Sequence, residues 1–150
     1  MAGLYFEDFE EGMEFNHSLT RTVTEMDNIM FCAMTHNPQP LHLDEEFSKN
    51  TMFGQRIVNS LFTLGLVIGV TVSDTTLGTT LGNLGMTDVR FINPVFHGDT
   101  IHVVTKITAK RESKSRPTTG IVTFEHYGFN QDNKEVAFCV RTGLIMKRPA

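Results

Sequence analysis

His42 closes a segment that concentrates proton-handling side chains, Thr35-His36-Asn37-Pro38-Gln39-Pro40-Leu41-His42-Leu43-Asp44. An unperturbed imidazole titrates near pH 6.5, so His42 can take a proton and return it around neutrality. The amide of Asn37 cannot act as a general base, but it can donate to and accept from a water molecule and so orient one. General acid–base chemistry on a bound water is the reaction that these residue types support. A structural role stands beside each chemical one. His42 can tie down the Pro-rich loop, His36 can be surface polarity, and Asn37-Pro38 is a common turn starter. Asp44 is placed to cap a helix over 45–49.

Other reactive residue types are less suggestive. Ser60 has no base in its own motif, which argues against a serine nucleophile. His97 and His102 flank Gly98-Asp99, but no CxxC or HxxxH spacing occurs and no metal is expected. Cys32 and Cys139 lie far apart, and nothing suggests an oxidising compartment.

The elements around these residues can be read from periodicity and turn chemistry. Residues 13–22 alternate as a first strand should. Thr24-Glu25-Met26-Asp27 offers a helix N-cap and an acidic first turn, and Ile29, Met30, Ala33 and Met34 follow at helical spacing. Pro38 and Pro40 predict an extended, rigid path through 35–44. Residues 57–72 are apolar nearly all round, which predicts a helix about 24 Å long at 1.5 Å per residue. Such a helix should be buried on every side, by a sheet wrapped around it. Residues 84–91, 100–112, 118–130 and 134–147 read as strands rich in Val, Ile, Thr and Phe, with a tight hairpin at 131–134. A helical first half and an antiparallel second half give an α+β fold, and one long helix wrapped by long strands is the hot-dog architecture.

A chain of 150 residues suits one domain spanning 1–150. The net charge is −4, and Lys106, Lys110, Arg111, Lys114 and Arg116 are spread over a strand and turn. That pattern lacks the dense basic face and interleaved aromatics of a nucleic-acid binder. It reads as a solvated hairpin, or as a short stretch able to meet the phosphates of a nucleotide-bearing ligand. The apolar run from Leu61 to Val72 is short and Gly-interrupted, so no membrane span is expected. The first residues lack a signal-peptide pattern, and the expected location is cytoplasmic.

The segment from Asn37 to Asp44 resembles the hydratase signature of the MaoC-like dehydratases and (R)-specific enoyl-CoA hydratases. In that family an Asp lies five residues before a His, with Asn-Pro and an aliphatic residue between. Phe53-Gly54-Gln55-Arg56-Ile57-Val58-Asn59-Ser60-Leu61 resembles the stretch that enters the family's central helix. Residues 91–101 resemble its strand-to-strand turn. The resemblance implies addition of water to, or its removal from, the 2,3-double bond of an acyl thioester. It implies His42 and Asn37 as the catalytic pair and the backbone N–H of Ser60 as oxyanion donor, with Asn59 beside it. Asn59 either bonds the thioester or caps the helix.

Two departures from the family pattern stand out. Asn37 replaces the Asp, and Asn59-Ser60 replaces the usual His-Gly, so the Ser side chain narrows the approach that Gly leaves open. The lost carboxylate can be covered by His42 acting alone as base and acid, which is the preferred reading. His36 as a second proton carrier and Asp44 in a shifted loop are the alternatives. The implied ligand is a coenzyme A thioester bound as substrate, with no cofactor, and the implied partner is a second copy in at least a homodimer. Arg56 and Arg90 are candidates for meeting a second carboxylate on the acyl group. An acyl-CoA thioesterase and a non-catalytic acyl-CoA-binding protein remain competing functions on the same fold.

Overall fold

The computed structural model describes residues 3–149. Its elements are β1 (Glu14–Asn16), β2 (Arg21–Thr22), α1 (Glu25–Met34), α2 (Pro40–Leu43), α3 (Glu45–Lys49), α4 (Ser60–Thr75), β3 (Thr80–Arg90), β4 (Thr100–Glu112), β5 (Thr119–Phe129) and β6 (Glu135–Met146). The strands form one antiparallel sheet in the order β1-β4-β5-β6-β3, and β2 pairs with β4 beside β1. Helix α4 packs along the inner face of this sheet, which is the hot-dog arrangement within an α+β fold.

Several boundaries differ from those read in the sequence. The strand expected over 13–22 divides in two, because the His17 side chain turns inward to Thr105 and Asp74 and residues 18–20 leave the ladder. The central helix begins at Ser60 rather than at 57. Ile57 bridges Phe96 and the Val58 N–H donates to the Val95 carbonyl at 2.8 Å, which holds this stretch extended. Asn59 then caps the helix by accepting from the Leu61 N–H at 3.0 Å. The path over 35–44 is not extended throughout. Pro40 occupies the first position of α2, where its missing N–H is harmless, and His42 lies within that single turn.

Helix α4 is covered on one side only. Leu64, Val67, Val70 and Thr71 face the sheet, whereas Leu61, Gly65 and Gly69 remain exposed. The sheet is open along β3, an edge strand with three register shifts and exposed Leu81, Leu84 and Val89.

The interior is split by polar residues. One apolar cluster, with Val67, Ile101, Val103 and Val136, underlies the N-terminal half of α4. A second, with Phe9, Ile107, Phe124 and Ile145, fills the far end. Between them runs a chain of hydrogen bonds. Arg141 Nε donates to His126 Nε2 at 3.1 Å, and His126 Nδ1 pairs with Thr105 Oγ1 at 2.9 Å. Thr105 Oγ1 pairs in turn with His17 Nε2 at 2.9 Å, and His17 Nδ1 meets Asp74 Oδ2 at 2.9 Å. An arginine N–H only donates, so His126 Nε2 accepts and its Nδ1–H donates to Thr105; a carboxylate only accepts, so the His17 Nδ1–H donates to Asp74. His126 is therefore neutral, with the proton on Nδ1.

Candidate active site

The site is assembled from the turn α2, the entrance to α4 and the buried face of α1. Thr24 caps α1 by accepting from the Asp27 N–H at 3.2 Å, while Asp27 Oδ2 accepts from the Thr24 N–H at 2.8 Å. One turn further on, this places Asn28 and Cys32 on the inward face. Asn28 is fully buried, and each polar atom of its side chain is engaged. Its Oδ1 accepts from the Asn59 N–H at 2.9 Å. Its Nδ2 lies 3.2 Å from the His42 carbonyl oxygen, 3.1 Å from that of Ile57 and 3.0 Å from His97 Nε2.

His42 is half-buried, and its Nδ1 lies 2.8 Å from the Ile57 carbonyl oxygen. A carbonyl only accepts, so Nδ1 carries a proton, and in the neutral ring Nε2 presents a lone pair. This is the tautomer that a general base requires.

Asn37 forms a local turn. Its N–H donates to the Cys32 carbonyl at 2.9 Å and its Oδ1 accepts from the Gln39 N–H at 3.0 Å. The Asn37 NH2 has no protein acceptor among the described residues. With His36, Pro38, Ile29 and Leu43, Asn37 lines a cavity of about 360 Å³. Asp44 caps α3 by accepting from the Phe47 N–H at 3.0 Å, which is its structural role.

A second cavity, of about 380 Å³, opens at the N-terminus of α4. Ser60 and Thr63 line it together with Met52, Ile57, Phe91 and Ile92, so its wall is chiefly apolar with the helix terminus at one end. Ser60 is the first residue of the helix, and its N–H has no acceptor inside the helix. That free donor and the aligned helix dipole favour an anion there. The helix terminus thus offers a donor suited to a developing oxyanion, in a cavity separate from the one that Asn37 lines, and His42 is among the lining residues of neither.

Three residues assigned to the substrate have other occupations. Asn59 is buried, with its oxygen committed to capping α4 and its Nδ2 against Cys32 Sγ at 3.8 Å. Arg56 is clamped between Glu45 Oε2 at 2.8 Å and Glu25 Oε1 at 2.7 Å, so it ties α1 to α3. These carboxylates raise the Arg56 pKa, and the arginine lowers that of Glu25. Arg90 lies outside the cavity, over the Phe138 ring at 4.3 Å and beside Asp88 Oδ1 at 3.4 Å.

Asn28 and His97 are the members of this site whose part sequence reasoning missed. A signal existed for Asn28, an amide standing four residues before Cys32 on the buried face of a helix, where a polar side chain needs a partner. Burial first, and then the Arg56 cation, push the His97 pKa below the ordinary histidine value. A neutral His97 Nε2 can accept from Asn28. No group of three or more metal-ligating side chains occurs among the described residues, and none of their helices is long and apolar enough to cross a membrane.

Comparison with known proteins adds independent information. The family model described as MaoC like domain matches residues 8–128. Over 147 residues the chain is 31% identical to mesaconyl-CoA hydratase of Cereibacter sphaeroides, a match covering 98% of this chain and 42% of that protein. The chain thus spans less than half the length of the curated relatives it matches first. The crystal structure of the MaoC-like dehydratase from Rhodospirillum rubrum superposes with a TM-score of 0.85 at 30% identity, covering 99% of this chain and 100% of that one. A Mycobacterium tuberculosis protein with a double hotdog fold aligns at a TM-score of 0.88 and 20% identity, covering 98% of this chain and 45% of that one.

Proposed function

Because the chain belongs to the MaoC-like family, we propose that it is a hydratase or dehydratase of 2-enoyl-CoA and 3-hydroxyacyl-CoA thioesters. The observation that carries this reading is the His42 tautomer, with Nδ1–H held by the Ile57 carbonyl and Nε2 left as a base.

In the hydration direction His42 Nε2 takes a proton from water as the water oxygen bonds to C3. The C2–C3 π pair moves onto the thioester carbonyl, and the resulting enolate oxygen is held by the Ser60 N–H. The imidazolium then returns the proton to C2 as the enolate collapses. Asn37 holds the water through its amide and carries no proton. The sequence is redox-neutral and calls for no cofactor beyond the coenzyme A of the substrate itself. With Arg56 clamped and Arg90 outside the cavity, neither is assigned to a second carboxylate on the acyl group.

A homodimer belongs to the same proposal. The open side of α4 at Leu61, Gly65 and Gly69, with the apolar edge at Leu81 and Leu84, is a surface for a second copy. The likeness to less than half of a double-hotdog chain supports that pairing. A cytoplasmic location is kept as part of this reading.

Loss of the enoyl-thioester absorbance band tests the activity, with short, branched and dicarboxylic enoyl-CoAs as substrates. Loss with any member is expected. No loss with any member, together with tight acyl-CoA binding, would favour the competing reading that Asn37 motivates, a binding protein without turnover. Release of free thiol with the double bond unchanged would indicate a thioesterase.

A further inference from the structure

Asn28 touches the two segments that carry the proposed base and the proposed oxyanion donor. Its Nδ2 faces the main-chain oxygen of His42 and the oxygen of Ile57, the same atom that receives the His42 Nδ1–H. Its Oδ1 receives the N–H of Asn59, the residue that caps α4 immediately before Ser60. The base and the oxyanion donor lie on separate segments of the chain, and one fully buried amide spans both.

The orientation of that amide is fixed. Two carbonyl oxygens accept only and an N–H donates only, so Nδ2 must face the carbonyls and Oδ1 must face Asn59. His97 completes the set. The two Nδ2 hydrogens are shared among three acceptors, and His97 Nε2, 3.0 Å away, meets them as the unprotonated nitrogen.

We propose that Asn28 is a positioning residue for the reaction, holding the His42 tautomer and the Ser60 N–H in one register, with His97 as the acceptor that keeps its amide oriented. The proposal rests on the reading that His42 and the Ser60 N–H are the working pair. Only an amide meets the requirement. A carboxylate in its place would set oxygen against two carbonyl oxygens and an imidazole lone pair, and an aliphatic side chain would leave the Asn59 N–H buried without an acceptor. In either variant the Ile57 peptide loses a restraint. His42 can then move its proton to Nε2, where it blocks the lone pair that water needs.

The test combines kinetics with long-range ¹H–¹⁵N spectra of the histidine rings, assigned with His42→Gln and His97→Gln. The wild-type protein is expected to show both His42 and His97 protonated at Nδ1 only. In Asn28→Asp the His42 signals should move towards a mixture of tautomers, with kcat falling roughly 100-fold. KM should change far less than kcat, because the base acts in the transition state. Wild-type protonation at Nε2 of either ring would overturn the proposal. So would a folded Asn28→Asp protein with unchanged His42 signals.

If Asn28→Asp does not fold, His97→Gln and His97→Leu decide. The glutamine oxygen still accepts from Asn28 and should preserve the His42 signals, and leucine should shift them. Identical signals in both variants would overturn the proposal. The ring spectra read the arrangement without turnover, so a protein inactive on every thioester would sink the functional reading and leave this inference to the spectra.

Discussion

The Ile57 carbonyl oxygen receives the His42 imidazole at 2.8 Å across fifteen residues of chain, and so joins the turn α2 to the entrance of α4. Removing the imidazole removes the proposed base. His42→Ala is expected to lower hydration by roughly 100-fold or more while the thermal midpoint shifts little, since His42 is only half-buried. Near-native turnover in this variant would exclude His42 as the base.

At Asn37 the carboxylate of the family pattern can be restored. Asn37→Asp keeps an oxygen able to accept from the Gln39 N–H, so the local turn should survive. The variant is expected to raise kcat several-fold, up to roughly tenfold, by giving the water a second proton carrier. Unchanged kcat would mean that the water is oriented elsewhere.

Ser60 allows deletion of a single N–H. Proline is favoured at the first position of a helix, and Asn59 already has the extended backbone that a following proline requires, with φ −58° and ψ 126°. Ser60→Pro should fold with little loss of stability and lose roughly 100- to 1,000-fold in kcat. Circular dichroism and steady-state kinetics on the same sample check both parts. Full activity would move the oxyanion donor away from the helix terminus.

The polar chain under the sheet predicts an acid sensitivity. Burial first, and then the Arg141 cation, push His126 down to about 3 from the ordinary 6.5. As the pH falls below 6.5, the unfolded chain takes up a proton at this position that the native protein refuses. The stabilising contribution is therefore complete above pH 6.5 and is lost as the pH falls through about 3. The slope is at most about 1.4 kcal/mol per pH unit. Urea unfolding between pH 7 and 4 should show this slope, reduced in His126→Gln. Equal slopes in the two proteins would assign the sensitivity to other groups.

The long elements were legible because their signals are local. The apolar run that becomes α4 and the Val, Ile and Thr alternation of β4 to β6 need no distant partner to be recognised. What was not legible depends on contacts across the chain. Ile57 and Val58 carry a helical pattern, yet they are held extended by Phe96 and Val95. The ion pairs of Arg56 are hidden in the sequence because Glu25, one of its two partners, lies thirty-one residues away. His42 could be picked out by its surroundings, but nothing local discloses that its tautomer is set by Ile57 or that Asn28 underlies both.

The polar chain from Arg141 to Asp74 also divides the interior into two compartments. On β4 the succession Val103, Thr105, Ile107 passes from one apolar cluster across the chain into the other. Side chains on opposite sides share no packing surface, so the costs of substitutions at Val67 and Phe124 should simply add. Side chains around the entrance of α4 can thus be exchanged with little effect on the packing of the far end. A fold divided in this way lets one end change without the stability of the whole being renegotiated.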